Sequence, residues 1–393
     1  MLNKRGMYAR KYRFACAAVL LAGLYSAAAL TTIAPVLTNA TWSGDQFQFT
    51  LLGETNVAYI LESSSNLRNW TRALTNSDPQ TTRTITAPAT NAQTFWRVRP
   101  VPSPLFEYAV LAQGNVNLSG SGWINSFDSA DPNYSNPIGR YDPTKQKAGG
   151  HVATASRTPI AINVGNTKVA GLVSTGPGAS VLVGPNGGVG SLPWFLNPAY
   201  GGTIEPGYLS NTFRVVLPRP TLPTNFGPVL PLPQYILYPP MIGGTNYKYA
   251  ILQDGDYRFP GDLSLGSGEK MLIDAKARLH ILGNTTVSGS GYILLGPNAS
   301  IEWYASGAVN IGGGGFINDS GRATNFSIFV FNAVPVTYSG IAPFIGTTYA
   351  PFSPVTLSGT SDAIGAIVCT NFTLTGSMGV HFDESLKSAG PFY

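Results

Sequence analysis

The chain has 393 residues, of which only 11% are charged, and its formal charge is +5. With 45 glycines and 30 prolines, it disfavours long helices and favours strands and turns. Five basic residues lie within the first 13, and removing them from the total of 24 leaves 19 Lys and Arg against 19 Asp and Glu. The remaining chain is neutral. We therefore expect no nucleic-acid partner, because phosphate binding needs a basic surface.

Residues 1–29 have the order of a secretory signal peptide. Basic residues up to Arg13 precede the apolar run Phe14–Leu24, and the small residues Ser26–Ala29 follow. We expect cleavage at the end of this segment; the alternative is an uncleaved anchor, which would be the only contact with a membrane. Export predicts a secreted, extracellular or cell-surface location, with the periplasm as a further option. Cys369 is then the only cysteine left, so no intramolecular disulfide is expected.

Residues 40–100 contain short alternating runs separated by turn residues, which predict a small β-sandwich. The stretch Tyr59–Thr71, YILESSSNLRNWT, with Phe95–Val98, FWRV, resembles a small fibronectin-like or immunoglobulin-like module. This module recurs in secreted proteins of verrucomicrobial and planctomycete-type bacteria. The resemblance implies a spacer or interaction module without chemistry of its own. The proline-rich residues 101–104 are a predicted linker.

Residues 105–390 repeat one short phrase, a strand of alternating residues that ends at a glycine. Its copies begin at Val116, Val287, Val309, Val355 and Phe372. Such a repeat predicts a parallel β-solenoid, or β-helix, in which each copy is one strand of a coil. The alternative is a jelly roll or a large sandwich. The proline-rich residues 218–240 are predicted to cross the surface as a loop, because proline is not found in central strands.

The same segment resembles a family of secreted bacterial domains of undefined function, found in pilus-assembly-type or surface proteins. Their β-helix is predicted from V-x-L-S-G-like strands. The resemblance depends on four stretches: Gly283–Gly291 (GNTTVSGSG), Thr348–Pro351 (TYAP), Gly365–Val368 (GAIV) and His381–Leu386 (HFDESL). It implies an exported structural or surface protein, and it supplies no catalytic residues.

His381, Asp383 and Glu384 form a dense group of ionisable side chains near the C-terminus. On a strand, His381 and Asp383 share one face, so this pair could orient a general base or contribute to a metal site. No third ligand is evident, because His151 and His280 lie far away in the sequence. We favour a structural interpretation, in which these charges form a polar cap where the solenoid ends.

The main alternative for the whole protein is a β-helix polysaccharide lyase or glycoside hydrolase, since a β-helix can present carboxylates on an open groove. The rungs carry few charges, and Asp274, Glu302 and Asp319 show no common rung offset. Asp254–Asp256, with glycine between the two acids, is typical of a turn; a calcium site is the weaker interpretation.

The favoured hypothesis is a non-enzymatic secreted or cell-surface protein with a structural or adhesive role and no cofactor or metal. Ladders of Ser, Thr and Asn on the solenoid exterior would bind polysaccharide or another surface polymer. Trp303 and Tyr304 would serve as exposed stacking platforms for sugars; otherwise they fill the core. A pilus- or secretion-associated component is the second alternative.

Overall fold

The chain divides into two compact units, residues 1–103 and residues 104–393. The computed structural model describes residues 35–43, 46–53, 59–76, 82–88, 94–100, 105–231 and 242–389. The predicted signal peptide, the predicted linker and residues 232–240 lie outside these ranges. The described parts of both units are built from strands, which confirms the predicted all-β class. Among the described residues, no helix is long and apolar enough to cross a membrane.

The described residues of the first unit form six antiparallel strands: β1 (Val36–Ser43), β2 (Gln46–Leu52), β3 (Tyr59–Ser64), β4 (Thr71–Asn76), β5 (Thr82–Pro88) and β6 (Phe95–Pro100). They make two three-stranded sheets, ordered β1-β2-β5 and β4-β3-β6. Alternate residues of both sheets fill one shared core, in which Phe49 and Trp96 meet edge to face at a centroid distance of 5.6 Å. The unit is therefore a small sandwich.

The second unit is a solenoid of short parallel strands. Its first part contains β7 (Val110–Ala112), β8 (Val116–Leu118), β9 (Trp123–Phe127), β10 (Val152–Thr154), β11 (Ile160–Gly165), β12 (Lys168–Ala170), β13 (Val173–Ser174), β14 (Ser180–Val183), β15 (Gly188–Gly190), β16 (Thr203–Ile204) and β17 (Leu209–Ser210).

Its second part contains β18 (Val229–Pro231), β19 (Tyr249–Ile251), β20 (Gly255–Phe259), β21 (Leu263–Leu265), β22 (Lys270–Ile273), β23 (Lys276–Ile281), β24 (Thr285–Val287), β25 (Tyr292–Leu295), β26 (Ser300–Ala305), β27 (Val309–Ile311), β28 (Gly315–Asn318), β29 (Phe326–Val330), β30 (Val336–Tyr338), β31 (Phe344–Ala350), β32 (Val355–Gly359), β33 (Ala363–Cys369), β34 (Phe372–Gly376) and β35 (Val380–Asp383). The one α-helix of the described residues, α1, spans Leu386–Ala389, and three 3₁₀ turns span Pro143–Lys145, Trp194–Leu196 and Ala323–Asn325.

The described strands of the solenoid form three parallel sheets. The long sheet runs β16-β15-β12-β9-β35-β33-β31-β29-β26-β23-β20-β18, with β7, β10, β13 and β17 as a side branch; the polar sheet runs β14-β11-β8-β34-β32-β30-β27-β24-β21; and the short sheet is β19-β22-β25-β28. All five copies of the repeated phrase lie in the polar sheet, at β8, β24, β27, β32 and β34. The predicted parallel solenoid is thereby confirmed.

The first strands of the second unit lie in the middle of the solenoid and not at one of its ends. β7 and β8 pair with β33 and β34, strands from the C-terminal part of the chain. From this rung the chain winds outward to β17, crosses to the opposite end at β18, and winds back to β35. β35 then lies between β33 and β9 and completes the rung that β7 and β8 begin.

Residues 211–228, here called the strap, make the crossing on the outer face of the long sheet. The Phe213 N–H donates to the Thr175 carbonyl at 2.9 Å, near β13. Further along, the Tyr349 hydroxyl donates to the Pro218 carbonyl at 2.8 Å, and Phe226 packs edge-on against Tyr304. The strap then continues into β18, an edge strand of the long sheet. Proline is tolerated in β18 because an edge strand has a partner strand on one side only.

One continuous apolar core fills the solenoid. Inward residues of successive rungs stack on one another; the rings of Phe316 and Phe326, for example, lie parallel with centroids 3.7 Å apart. Cys369 is fully buried in this core, and burial raises the pKa of its thiol well above the ordinary value. The thiol is therefore a small apolar group of the core and not a nucleophile.

Candidate functional site

His381 points away from the core, yet it is only 4% exposed. Its strand neighbours Val380 and Phe382 belong to the apolar core, so the imidazole lies on the outer face of β35. Residues 128–149, here called the cover loop, close over it. The ring of Tyr141 from this loop stacks on the imidazole, with 3.8 Å between the centroids.

Both imidazole nitrogens of His381 face a side chain. Nδ1 lies 2.6 Å from Oδ1 of Asn125, and Nε2 lies 3.3 Å from Oδ2 of Asp362. The Asn125 amide donates from Nδ2 to Tyr141 and Gln146, so its Oδ1 is an acceptor and His381 Nδ1 carries a proton. The His381 imidazole beside the carboxylate and the hydrogen bond from the Gly379 N–H hold the pKa of Asp362 below its ordinary value.

Asp383 is fully buried on the same strand face, but it has different partners. Its Oδ1 accepts hydrogen bonds from the N–H groups of Ser129 and Ser385, each at 3.1 Å. Among the described residues, Oδ2 has no hydrogen-bond partner. Burial raises the pKa of the Asp383 carboxyl, and these hydrogen bonds offset only part of that effect.

Glu384 ties the end of the chain to the cover loop. Its Oε2 accepts from Lys147 Nζ at 2.5 Å, and its Oε1 accepts from Ser126 Oγ at 2.7 Å. Ser126 Oγ in turn accepts from the Gly149 N–H at 2.7 Å. Burial raises the pKa of Glu384, but Lys147 and Ser126 outweigh it, so the pKa lies below the ordinary value.

These contacts correct the interpretation of His381, Asp383 and Glu384 as a terminal cap. Their strand is paired on both sides, by β33 and by β9, so it is not the end of the solenoid. The sequence order was misleading because the last strand of the chain lies in the middle of the stack. The three side chains join the last strand of the chain to β9 and to the cover loop.

The other two histidines do not join this group. His151 Nδ1 accepts from the Leu172 N–H at 3.0 Å, and burial together with nearby Lys387 lowers the pKa of this imidazole. His280 Nε2 lies 3.0 Å from Ser306 Oγ. Within the described ranges, no three His, Cys, Asp or Glu side chains are grouped so that they could hold a metal ion.

Trp303 and Tyr304 were expected as exposed stacking platforms, and their burial corrects this. Trp303 is fully buried and Tyr304 is 4% exposed. Trp303 points into the core, while Tyr304 points outward and lies beneath Phe226 of the strap, stacked on Phe329 at 5.2 Å. Neither ring can receive a sugar without displacing other parts of the protein.

An open groove of about 520 Å³ lies on the outer face of the long sheet. Its lining residues lie on β20, β23, β26 and β29 and on the 3₁₀ turn that contains Thr324 and Asn325. Asp256, Arg278 and Glu302 follow one another in register along its floor. Glu302 therefore shares a rung position with Asp256 and Arg278, a column that the sequence analysis did not identify.

The ion pair between Asp256 and Arg278 fixes the strap to this floor. Arg278 donates to both oxygens of Asp256, at 2.6 and 2.7 Å, and also to the side chain and the carbonyl of Asn225 in the strap. The Gly227 N–H of the strap donates to Asp256 as well. Burial raises the pKa of Asp256, but Arg278 and Gly227 outweigh it and lower the pKa overall.

Other polar side chains line the groove beside this ion pair, among them Lys276, Glu302, Asn325, Ser300 and Thr324. Ser327 also lines it, but its hydroxyl is buried and accepts a hydrogen bond from Thr347 Oγ1 at 2.8 Å. Glu302 Oε2 accepts from the Tyr304 hydroxyl at 2.7 Å, which orients the carboxylate, and no described residue donates to its other oxygen. The groove thus presents hydroxyl, amide and charged groups over several rungs.

The signal for this groove was weak in the sequence. Asp256 and Arg278 are 22 residues apart, which is one turn of the solenoid, but the turn length varies along the chain. Only the strand register brings Asp256, Arg278 and Glu302 into one column.

Residues 243–389 match a domain of unknown function, DUF7305. The match covers less than half of the chain and includes the whole groove floor and the C-terminal strand. No match was found among curated proteins or among solved structures.

Proposed function

We propose that the protein is an exported, non-enzymatic structural or adhesive protein that binds polysaccharide in the groove of the long sheet. The observation that carries this proposal is the groove itself, a polar trough across four strands with hydroxyl, amide and charged groups in its walls. Its volume of about 520 Å³ falls within the range of small-molecule sites and suits a few sugar residues of a longer polymer.

The groups in the groove match the chemistry of a sugar chain. Ser300, Thr324 and Asn325 can each donate and accept hydrogen bonds with sugar hydroxyls. Lys276 and Glu302 add charge-assisted hydrogen bonds, which are stronger than neutral ones. Many such contacts across successive rungs suit an extended, repeating ligand better than a compact one.

The ionisable groups of the groove favour binding over catalysis. Asp256 has a lowered pKa and is held by Arg278 and the Gly227 N–H, so it is a poor general acid. Arg278 uses its guanidinium for Asp256 and Asn225 and thereby fixes the strap. A glycosidase would instead need one carboxyl group with a raised pKa facing a second carboxylate.

The proposed export, the spacer role of the first unit and the scaffold role of the solenoid have separate support. The basic and apolar order of residues 1–29 supports export. The two packed sheets of the first unit support a fibronectin-like or immunoglobulin-like spacer that carries no chemistry. The solenoid itself supplies the rigid scaffold on which an adhesive groove needs to be built.

The experiment is a binding and turnover assay on one panel of neutral and acidic polysaccharides. Glu302→Gln and Asn325→Ala should each weaken binding by about 1 kcal/mol, the net value of one hydrogen bond. Glu269→Gln changes a partly exposed carboxylate outside the groove and serves as the matched control. Binding without release of products supports the proposal. Product formation that depends on Glu302 would show a lyase or a glycoside hydrolase instead.

A further inference from the structure

The polar sheet carries an unbroken column of small polar side chains on its outer face. The strand register places eight of them side by side, in the order Ser264, Thr286, Asn310, Thr337, Thr356, Thr373, Asn117 and Asn163. In most of these strands the flanking residues are buried while the column residue is exposed or half-buried. This column is here called the polar face.

The hydroxyl groups of the polar face are free. In the described part of the chain, the side chains of Thr286, Thr337, Thr356 and Thr373 form no hydrogen bond. The bond within the column joins Asn163 Nδ2 to Asn117 Oδ1 at 3.1 Å. A second row begins where Ser358 pairs with Thr375, two residues beyond Thr356 and Thr373. On β32 and β34 the face therefore carries two rows of hydroxyl groups.

The nine strands of the polar sheet contain no Asp, Glu, Lys, Arg or His. Their two aromatic residues, Tyr338 and Phe372, are buried and face inward. The face thus lacks both the stacking rings and the charge-assisted hydrogen bonds that sugar binding uses. It also lacks charged groups, which would hold their own tightly bound water. Its chemistry differs from that of the groove on the long sheet.

The array is rigid and regular. Neighbouring parallel strands lie about 4.8 Å apart, so the column repeats at this distance along the solenoid. Threonine is stiff at χ1 because it is β-branched, so each methyl and hydroxyl group keeps a fixed direction. A preorganised array loses little conformational entropy on binding, but it gains most from a ligand that is itself rigid and has a matching repeat.

We propose that the polar face binds ice, the ordered lattice of water. The repeat of the column is close to the repeat of oxygen atoms in the ice lattice, and hydroxyl groups can occupy water positions while the methyl groups between them exclude disordered water. A single hydroxyl competes poorly with bulk water. Five hydroxyl and three amide side chains in register act together, and the length of the column supplies the affinity. This inference does not depend on the polysaccharide groove.

The test measures thermal hysteresis and inhibition of ice recrystallisation with the purified chain. The wild-type protein should show both effects, and the double variant Thr356→Lys with Thr373→Lys should lose them, because two ammonium groups disrupt the lattice contact. Thr356→Tyr is a second variant, since tyrosine is well tolerated in strands and its ring would hold the face away from ice. Thr221→Lys adds one ammonium group on the exposed strap, away from the polar face, and should keep the wild-type effect.

Unfolding curves must show that each variant is folded. Absence of both effects in the wild-type protein would overturn the proposal, as would face variants that act like the wild type. A third result would also overturn the proposal: the wild-type protein binds crystalline cellulose or chitin but has no effect on ice, and the double variant Thr356→Lys with Thr373→Lys no longer binds the polysaccharide. That result would show that the face binds a solid polysaccharide.

Discussion

Ser126 and Glu384 are 258 residues apart in the chain, yet Ser126 Oγ donates a hydrogen bond of 2.7 Å to Glu384 Oε1. This contact joins the first solenoid rung to the last strand. Lys147 adds a bond to the same carboxylate from the cover loop. The N-terminal and C-terminal strands of the second unit therefore pair with each other in the middle of the solenoid. The stability of the solenoid depends on the contacts between them.

Glu384→Ala should lower the free energy of unfolding by about 1–3 kcal/mol, because it leaves the Lys147 ammonium and the Ser126 hydroxyl without their partner in a largely buried site. Glu384→Gln keeps an acceptor for Ser126 and should cost less. Urea unfolding of the whole chain measures both. Glu269→Gln, whose ion pair with Lys248 is more exposed, is the control, with an expected loss of about 0–1 kcal/mol. Equal losses of unfolding free energy in Glu384→Ala and Glu269→Gln would contradict the role of Glu384 in joining the last strand to β9 and the cover loop.

The sequence predicted the strands well because alternation of buried and exposed residues is a local signal. Val355-Thr356-Leu357, for example, is inward, outward and inward as expected. The order of the rungs was not predictable, since strands of three residues with similar apolar sides do not specify their neighbours. Val116 pairs with Phe372, and nothing local to either residue indicates this. The groove and the closure contacts depend on that order, and so they could not be found either.

Asp383 and Asp362 should affect stability with opposite signs. Burial raises the pKa of Asp383 above its ordinary value of 3.8, so ionising it costs the folded state stability as the pH rises above that value. Asp383→Asn should therefore be more stable than the wild type near neutral pH, by about 1 kcal/mol, and the gain should vanish in acid.

The pKa of Asp362 is lowered, chiefly by His381. Its stabilising effect is present above the ordinary value of 3.8 and is lost as the pH falls through the folded-state pKa. Asp362→Asn should therefore be less stable than the wild type near neutral pH and equal to it in acid. Unfolding curves across this pH range measure both variants. A stability difference of the same sign for the two variants would show that the assignment of Asp383 or of Asp362 is wrong.

Trp303 is a core residue in this fold, so its removal should damage the solenoid and not only a surface. Trp303→Ala should cost about 3–5 kcal/mol, through lost burial and the cavity left between rungs. Leu196→Ala removes a side chain that is 85% exposed and should change stability by less than about 0.5 kcal/mol. Thermal unfolding of Trp303→Ala and Leu196→Ala measures the two losses of stability. A small effect of Trp303→Ala would mean that the ring is not packed as described.

The strap should loosen before the solenoid unfolds when its ion pair is weakened. Arg278→Lys keeps the positive charge but cannot make the paired hydrogen bonds to Asp256 or reach Asn225 in the same geometry. We expect faster proteolysis and faster hydrogen exchange within residues 211–228, with little change in the polar sheet, because local opening needs less free energy than global unfolding.

Arg258→Lys is the matched control for the strap, since Arg258 is exposed on the same strand as Asp256. It should leave cleavage of the strap at the wild-type rate. If Arg278→Lys also leaves that rate unchanged, the ion pair does not hold the strap. If it instead opens the rungs on either side as fast as the strap, then the strap is an integral part of the solenoid wall, and the groove beside it cannot change shape without unfolding of the sheet beneath.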